Sequence, residues 1–231
     1  MNLRRSFLAP LFLSILFTLR AAAAPNPAWT TPFPAFRIAG NGSIGLYYVG
    51  TEDLASYLIV TTAGDILINS NLASSPPLIR KSVESLGFHW SDIRILLISH
   101  AHYDHCAGSA EILRETHAKY EVMAQDVSVV ESGGHTDFNY ANDKSMYFPP
   151  AHVDRLLHDG STVSLGGVTL TAHLTAGHTM EQQPGPSTSP TPAVHSTPSS
   201  SAAPTSIPAT NWCTTRAIRR LPPTTSTSSK S

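Results

Sequence analysis

Residues Ile93–Ile98 form a near-continuous apolar run that leads directly into Ser99-His100-Ala101-His102-Tyr103-Asp104-His105. A short run of this kind is expected of a strand buried on both faces. Such a strand must lie inside a sheet covered on each side, so whatever leaves its carboxyl end is mounted on rigid backbone. The histidine-rich segment is therefore predicted to be a loop at the end of a central strand.

The flanking sequence supplies the other layers. From Tyr47 to Asn69 apolar residues fall in short β-branched and aromatic stretches, and Ala63-Gly64-Asp65 marks a turn between Ser56–Val60 and Ile66–Ile68. This predicts an antiparallel hairpin. Pro76-Pro77 followed by Leu78, Ile79, Val83 and Leu86 predicts a helix, with proline in its first turn and Gly87 just past its end. Beyond the histidines, a helix is expected near Ser109–His117, a short strand at Glu121–Ala124 and a helix near Asp126–Glu131. Arg155–Leu157, Thr162–Leu165 and Val168–Leu174 read as strands, the last two joined at Gly166-Gly167. Hairpins mixed with strand–helix alternation predict an α+β fold, an αββα sandwich rather than a doubly wound sheet.

The two ends differ from this middle. Arg4-Arg5, an apolar run from Phe7 to Leu19 and Ala21-Ala22-Ala23-Ala24 follow the basic, apolar, small-residue order of a secretory signal peptide, so residues 1–24 are expected to be removed after Ala24. The run is shorter than the ~20 residues a bilayer requires, and Arg20 interrupts it, which argues against a stable membrane anchor. The expected setting is periplasmic or secreted. With only Cys106 and Cys213 present, no disulfide framework is expected. Fifteen lysines and arginines against 16 aspartates and glutamates give no basic surface for nucleic acid. At Met180 the composition changes: residues 181–231 hold half of the 18 prolines, one glycine, one acidic residue and a Ser/Thr-rich remainder. Such a segment buries too little apolar surface to offset its ordering entropy, so 180–231 is expected to be a disordered tail. The folded unit is then 25–179.

Three imidazoles and a carboxylate within six positions suit zinc, whose catalytic sites need three protein ligands and an open position for water. On an extended loop His100 and His102 would point the same way, while Asp104 and His105 would face a neighbouring metal. His178, after the last strand and beside Gly177, is the expected third ligand to the first ion. His173 lies within a strand and is given no role. His89, His117, His135, His152 and His158 have surface-like neighbours, and Cys106 reads as a small buried thiol rather than a ligand.

The loop His100-Ala101-His102-Tyr103-Asp104-His105 resembles that of the metallo-β-lactamase superfamily. Leu46-Tyr47-Tyr48-Val49-Gly50-Thr51, the extension Cys106-Ala107-Gly108 and Leu170-Thr171-Ala172-His173-Leu174-Thr175-Ala176-Gly177-His178-Thr179 narrow the resemblance to the third subclass of class B β-lactamases. It covers Pro32 to Thr179. It implies a zinc-dependent hydrolase that opens the β-lactam ring of a small-molecule antibiotic by metal-bound hydroxide. His100, His102 and His178 would hold one zinc; Asp104 and His105 would hold a second, with Asp104 also orienting the attacking hydroxide. The family's second zinc needs a further downstream histidine, and His195, the only later one, lacks that motif. Two other readings remain: a lactonase or thioester hydrolase on the same fold, and a catalytically dead chain binding at most one zinc.

In this subclass Gly-His-Thr is followed by one variable residue, glycine, small residues and tryptophan. Shifted by one base, the codons for Met180 to Gly185 force a glycine, allow Ala or Thr at three positions, then allow Trp, which fits that continuation. Asn211-Trp212-Cys213 shifts to a forced Leu-Val, and Ile207–Thr210 permits Pro-Gly-x-Lys before it, a second fit. A genuine Ser/Thr/Pro stalk would not generate these matches. The coding DNA is expected to contain one additional base near codon 180, which resequencing across codons 175 to 185 checks; an unchanged sequence makes the tail a real part of the product.

Overall fold

The computed structural model describes residues 26–174 and 193–198. The apolar run becomes β5 (Ile93–Leu97), inside a seven-stranded sheet whose spatial order follows the chain: β1 (Phe36–Asn41), β2 (Ile44–Tyr48), β3 (Tyr57–Thr61), β4 (Gly64–Ile68), β5, β6 (Lys119–Met123) and β7 (Arg155–Leu157). β1 to β4 form an antiparallel meander, and β4 to β7 run parallel. Parallel neighbours require crossovers, and these are supplied by α1 (Pro76–Ser85), by α2 (Tyr103–Cys106) with α3 (Ser109–Thr116), and by α4 (Val127–Ser132).

Burial on both faces is visible strand by strand. Leu58, Leu67, Leu96, Tyr120 and Val122 pack with Ile79 and Val83 of α1, Ile112 of α3 and Val129 and Val130 of α4. Their sheet neighbours Ile59, Ile66, Ile95, Leu97, Met123 and Leu157 pack instead with Val163, Leu170 and Ala172 of a second sheet. That sheet contains β8 (Thr162–Leu165), β9 (Val168–His173) and β10 (Ala193–Pro198) in the order β10-β9-β8. The result is a helix layer, a mixed sheet and a smaller antiparallel sheet, three successive layers of the expected αββα sandwich. Among the described residues no helix lies on the far side of the small sheet.

The hairpin of β3 and β4, α1 and the strands β5 to β9 occur where the sequence places them, with ends shifted by one or two residues. Gly166 and Gly167 both take positive φ, +50° and +87°, as a tight turn between right-twisted strands requires. Three features depart from expectation. The hairpin of β1 and β2 was not anticipated, although Asn41-Gly42 at its tip is a hairpin signal. Tyr103–Cys106 is a helical turn rather than extended loop, because His105 and Cys106 donate their backbone N–H groups to His102 O at 2.9 and 3.1 Å. And Ala193–Pro198, within the tail expected to be disordered, is a strand: its backbone pairs along the edge of β9 from Val168 to His173. An edge strand presents unpaired N–H and C=O groups that an extended segment satisfies whatever its side chains, a gain that composition does not encode. The expected signal peptide (1–24), His178 and the remainder of the tail lie outside the described residues.

Asp65 of β4 is 4% exposed. Burial pushes its carboxyl up to about 6; Asp92 adds to this, while a backbone hydrogen bond at Thr61 and the Arg94 charge oppose it. Because the folded-state value is raised, the neutral form favours folding. That contribution is complete below about pH 4, the unfolded value, and is lost as pH rises through about 6. Urea denaturation of wild type and Asp65→Asn at several pH values should show their stability difference moving against wild type across this window, and parallel profiles would refute it.

Candidate metal centre

The site forms where β4 and β5 end side by side. Asn69 continues the ladder by donating its backbone N–H to Leu97 O (2.8 Å), then turns into the left-handed region at φ +66°, which asparagine tolerates better than most residues. From there its side chain takes over: Oδ1 accepts from Ser99 N at 2.8 Å and Nδ2 donates to Ala55 O at 3.2 Å. Ser56 Oγ donates to Asn69 O at 3.0 Å. Ser70 and Asn71 donate their backbone N–H groups to His105 O at 3.0 and 3.2 Å, and Gly108 N donates to Asn71 O at 3.1 Å. Gly108 is needed for this closeness, since a Cβ there would lie 2.5 Å from Ser70 O. Two loops distant in sequence are thus sewn together beneath the histidines.

Above this seam, ligand atoms of His100, Asp104 and His105 lie within 4.8 Å of one another. The His100 and His105 rings are 4.0 Å apart between centroids, and His105 Nε2 is 3.5 Å from Asp104 Oδ2. Ser99 Oγ lies 3.2 Å from His100 Nδ1 and 3.1 Å from His105 Nδ1. A hydroxyl oxygen has two lone pairs, so it can accept from both N–H groups; each ring then carries its own lone pair on Nε2. His102 stands outside this tight group. It is buried, its ring meets His100 edge-on at 4.8 Å, and its Nε2 faces Asp137 Oδ2 at 3.7 Å. Of the five residues expected to hold metal, the structure therefore gathers His100, Asp104 and His105, places His102 alongside, and leaves His178 outside the described residues.

The electrostatics suit a cation. Cys106 is 1% exposed, and its thiol is pushed well above its usual value, first by burial and then by the carboxylates of Asp126, Asp104 and Asp137. A divalent ion held by His100, Asp104 and His105 would balance this negative charge. Two imidazole nitrogens and a carboxylate oxygen are the donor set zinc prefers. His89, His117, His135, His152 and His158 are all exposed, as their neighbours suggested. Ser99, Asn69 and Asp137 were missed. The only sequence signal for them was position: a polar residue at the end of a buried strand, and an aspartate after Gly133-Gly134.

Residues 50–180 match the model of the metallo-beta-lactamase superfamily, so the chain belongs to that superfamily. Among solved structures it is 63% identical to the native FEZ-1 metallo-beta-lactamase from Legionella gormanii, over 64% of this chain and 55% of that one, with a TM-score of 0.62. It is 39% identical to the metallo-beta-lactamase GOB-18 from Elizabethkingia meningoseptica (76% and 60% covered, TM-score 0.67). To BJP-1, a subclass B3 metallo-beta-lactamase of Bradyrhizobium japonicum, it is 35% identical (75% and 60% covered, TM-score 0.64). The chain spans between 55% and 60% of the length of these three structures.

Asn69 carries the junction between the two loops. Asn69→Ala removes the acceptor for Ser99 N and puts a Cβ-bearing residue without a side-chain partner at positive φ. A loss of about 1–3 kcal/mol in unfolding free energy is expected, measured by urea denaturation; a loss under a few tenths would show that Asn69 is not the anchor.

Proposed function

We infer that this chain carries the metal-binding part of a zinc-dependent hydrolase that opens the β-lactam ring of antibiotics. The observation that carries the reading is the cluster of His100, Asp104 and His105 at the end of β5, in a chain 63% identical over 64% of its length to a metallo-beta-lactamase. His100 and His102, with His178, would hold one zinc, and Asp104 with His105 a second. When bound, such ions bring the pKa of a coordinated water toward neutrality and polarise a carbonyl oxygen.

The remaining work falls to the chain. Ser99 fixes the rings of His100 and His105 through their Nδ1 atoms, so the donor atoms are held before substrate arrives. Asp104 is partly exposed beside His105, where its carboxylate can accept a proton from an incoming water and orient it toward the substrate carbonyl. Tyr140, edge-on to His102 at 5.3 Å, offers an aromatic face to the apolar part of a substrate. Export fits this role and is supported by the order of Arg4-Arg5, Phe7–Leu19 and Ala21–Ala24.

The frame-restored protein, loaded with zinc, is expected to hydrolyse a chromogenic cephalosporin, to lose that activity on chelation and to regain it with zinc, whereas loss of the C-terminal half impairs turnover by the chain as written. Asp104→Ala should lower turnover about 100-fold or more, the scale on which a positioned proton acceptor contributes. Lactone and thioester substrates assayed side by side separate the reading from its relatives on this fold. Stoichiometric zinc with no turnover of any cephalosporin would overturn it.

A further inference from the structure

Asp137 lies in the loop after α4, well separated in sequence from the histidine motif, yet its Oδ2 stands 3.7 Å from His102 Nε2. The position is built. Asp137 is 7% exposed, so its charge is withdrawn from bulk water at a cost that neighbouring dipoles must offset. Its Oδ1 accepts from the backbone N–H groups of Asn139 (2.7 Å) and Tyr140 (2.8 Å), which turns the second oxygen toward His102. The loop is closed by Asp137 N to Gly134 O (3.2 Å), Ala141 N to Asp137 O (3.1 Å) and Phe148 N to Gly133 O (3.1 Å). Gly133 and Gly134 take φ of +67° and +89°, which lets the chain reverse there.

A neutral imidazole carries one N–H, and a carboxylate facing Nε2 draws that proton to Nε2, leaving the lone pair on Nδ1. His100 differs, since it is its Nδ1 that meets a polar partner, Ser99 Oγ at 3.2 Å. We propose that Asp137 is a positioning residue of the metal centre: its carboxylate keeps the proton of His102 on Nε2 and so turns Nδ1 of His102 toward the metal. The proposal rests on the metal-centre reading of His100, His102, Asp104 and His105. It gives the loop after α4 a task that the histidine motif cannot perform for itself.

The isosteric Asp137→Asn tests it on the full chain. Its carbonyl oxygen can still accept from Asn139 and Tyr140, but its NH₂ then faces His102 and favours the proton on Nδ1. Long-range proton–nitrogen NMR of the metal-free protein should show His102 as the Nε2–H form in wild type and as the Nδ1–H form in Asp137→Asn. Zinc affinity, read by chelator competition, should fall about 10- to 100-fold, as for other residues that orient metal-bound histidines. Asp137→Ser, which keeps one oxygen for the turn and nothing that reaches His102, should give mixed forms and an intermediate affinity. A wild-type His102 protonated on Nδ1, or an Asp137→Asn protein unchanged in both readouts, overturns the proposal. Should wild type bind no zinc while His102 keeps its Asp137-dependent proton, the metal-centre reading fails and the hold on His102 stands.

Discussion

The parallel pairing of β4 with β5 is the constraint on which the site depends. It brings two chain ends to one edge of the sheet, and neither end alone could hold a metal ligand in place. Asn69 ends the ladder by leaving the strand at positive φ and spends its side chain on Ser99 N and Ala55 O. Ser99 is then fixed at its backbone, and its hydroxyl is available to two histidine rings at once. A chain of hydrogen bonds thus runs from the main sheet to the donor atoms with no flexible link in it. Each bond contributes only about 1 kcal/mol, but together they set the direction of the rings.

That rigidity is supported by what lies on either side of the sheet. The helix side of β5 packs on α1 and α3 through Leu96 and Ile93, and the other side packs on β8 and β9 through Ile95 and Leu97. Close-packed interiors transmit displacement instead of absorbing it. A ligand loop on such a strand keeps its geometry, and burial of His100 and His102 keeps them from competing water. Cys106, directly after the motif, shows the same environment from below: a buried thiol in the field of three carboxylates.

Much of this was legible from residues alone. The two-sided burial of β5 follows from Ile95 to Ile98 having apolar side chains at successive positions, because alternation would have implied one wet face. Gly166-Gly167 announced its turn, and Pro76-Pro77 with Gly87 bracketed α1 to within a residue. The motif's own conformation was not legible. His102 to Cys106 can be written as extended or helical with equal ease, and the backbone hydrogen bonds to His102 O chose the helical turn. Asn41-Gly42 carried a hairpin signal that went unused, whereas β10 carried none, since its pairing depends on the free edge of β9 rather than on its own side chains.

By itself the sequence determined the αββα layering from its hairpins and strand–helix alternation, the position of the histidine loop at a strand's carboxyl end, and the donor types His100, His102, Asp104 and His105. These follow from short-range pattern: periodicity, turn residues and ligand chemistry act within a few positions. Only the tertiary structure decided that Ser99 stands behind two of the rings, that Asn69 holds Ser99, and that Asp137 faces the third ring from another loop. Asn69 with Ser99, and Asp137 with His102, are joined across more than 25 residues of chain, and they meet because packing the layers brings those loops together, an outcome no local pattern encodes.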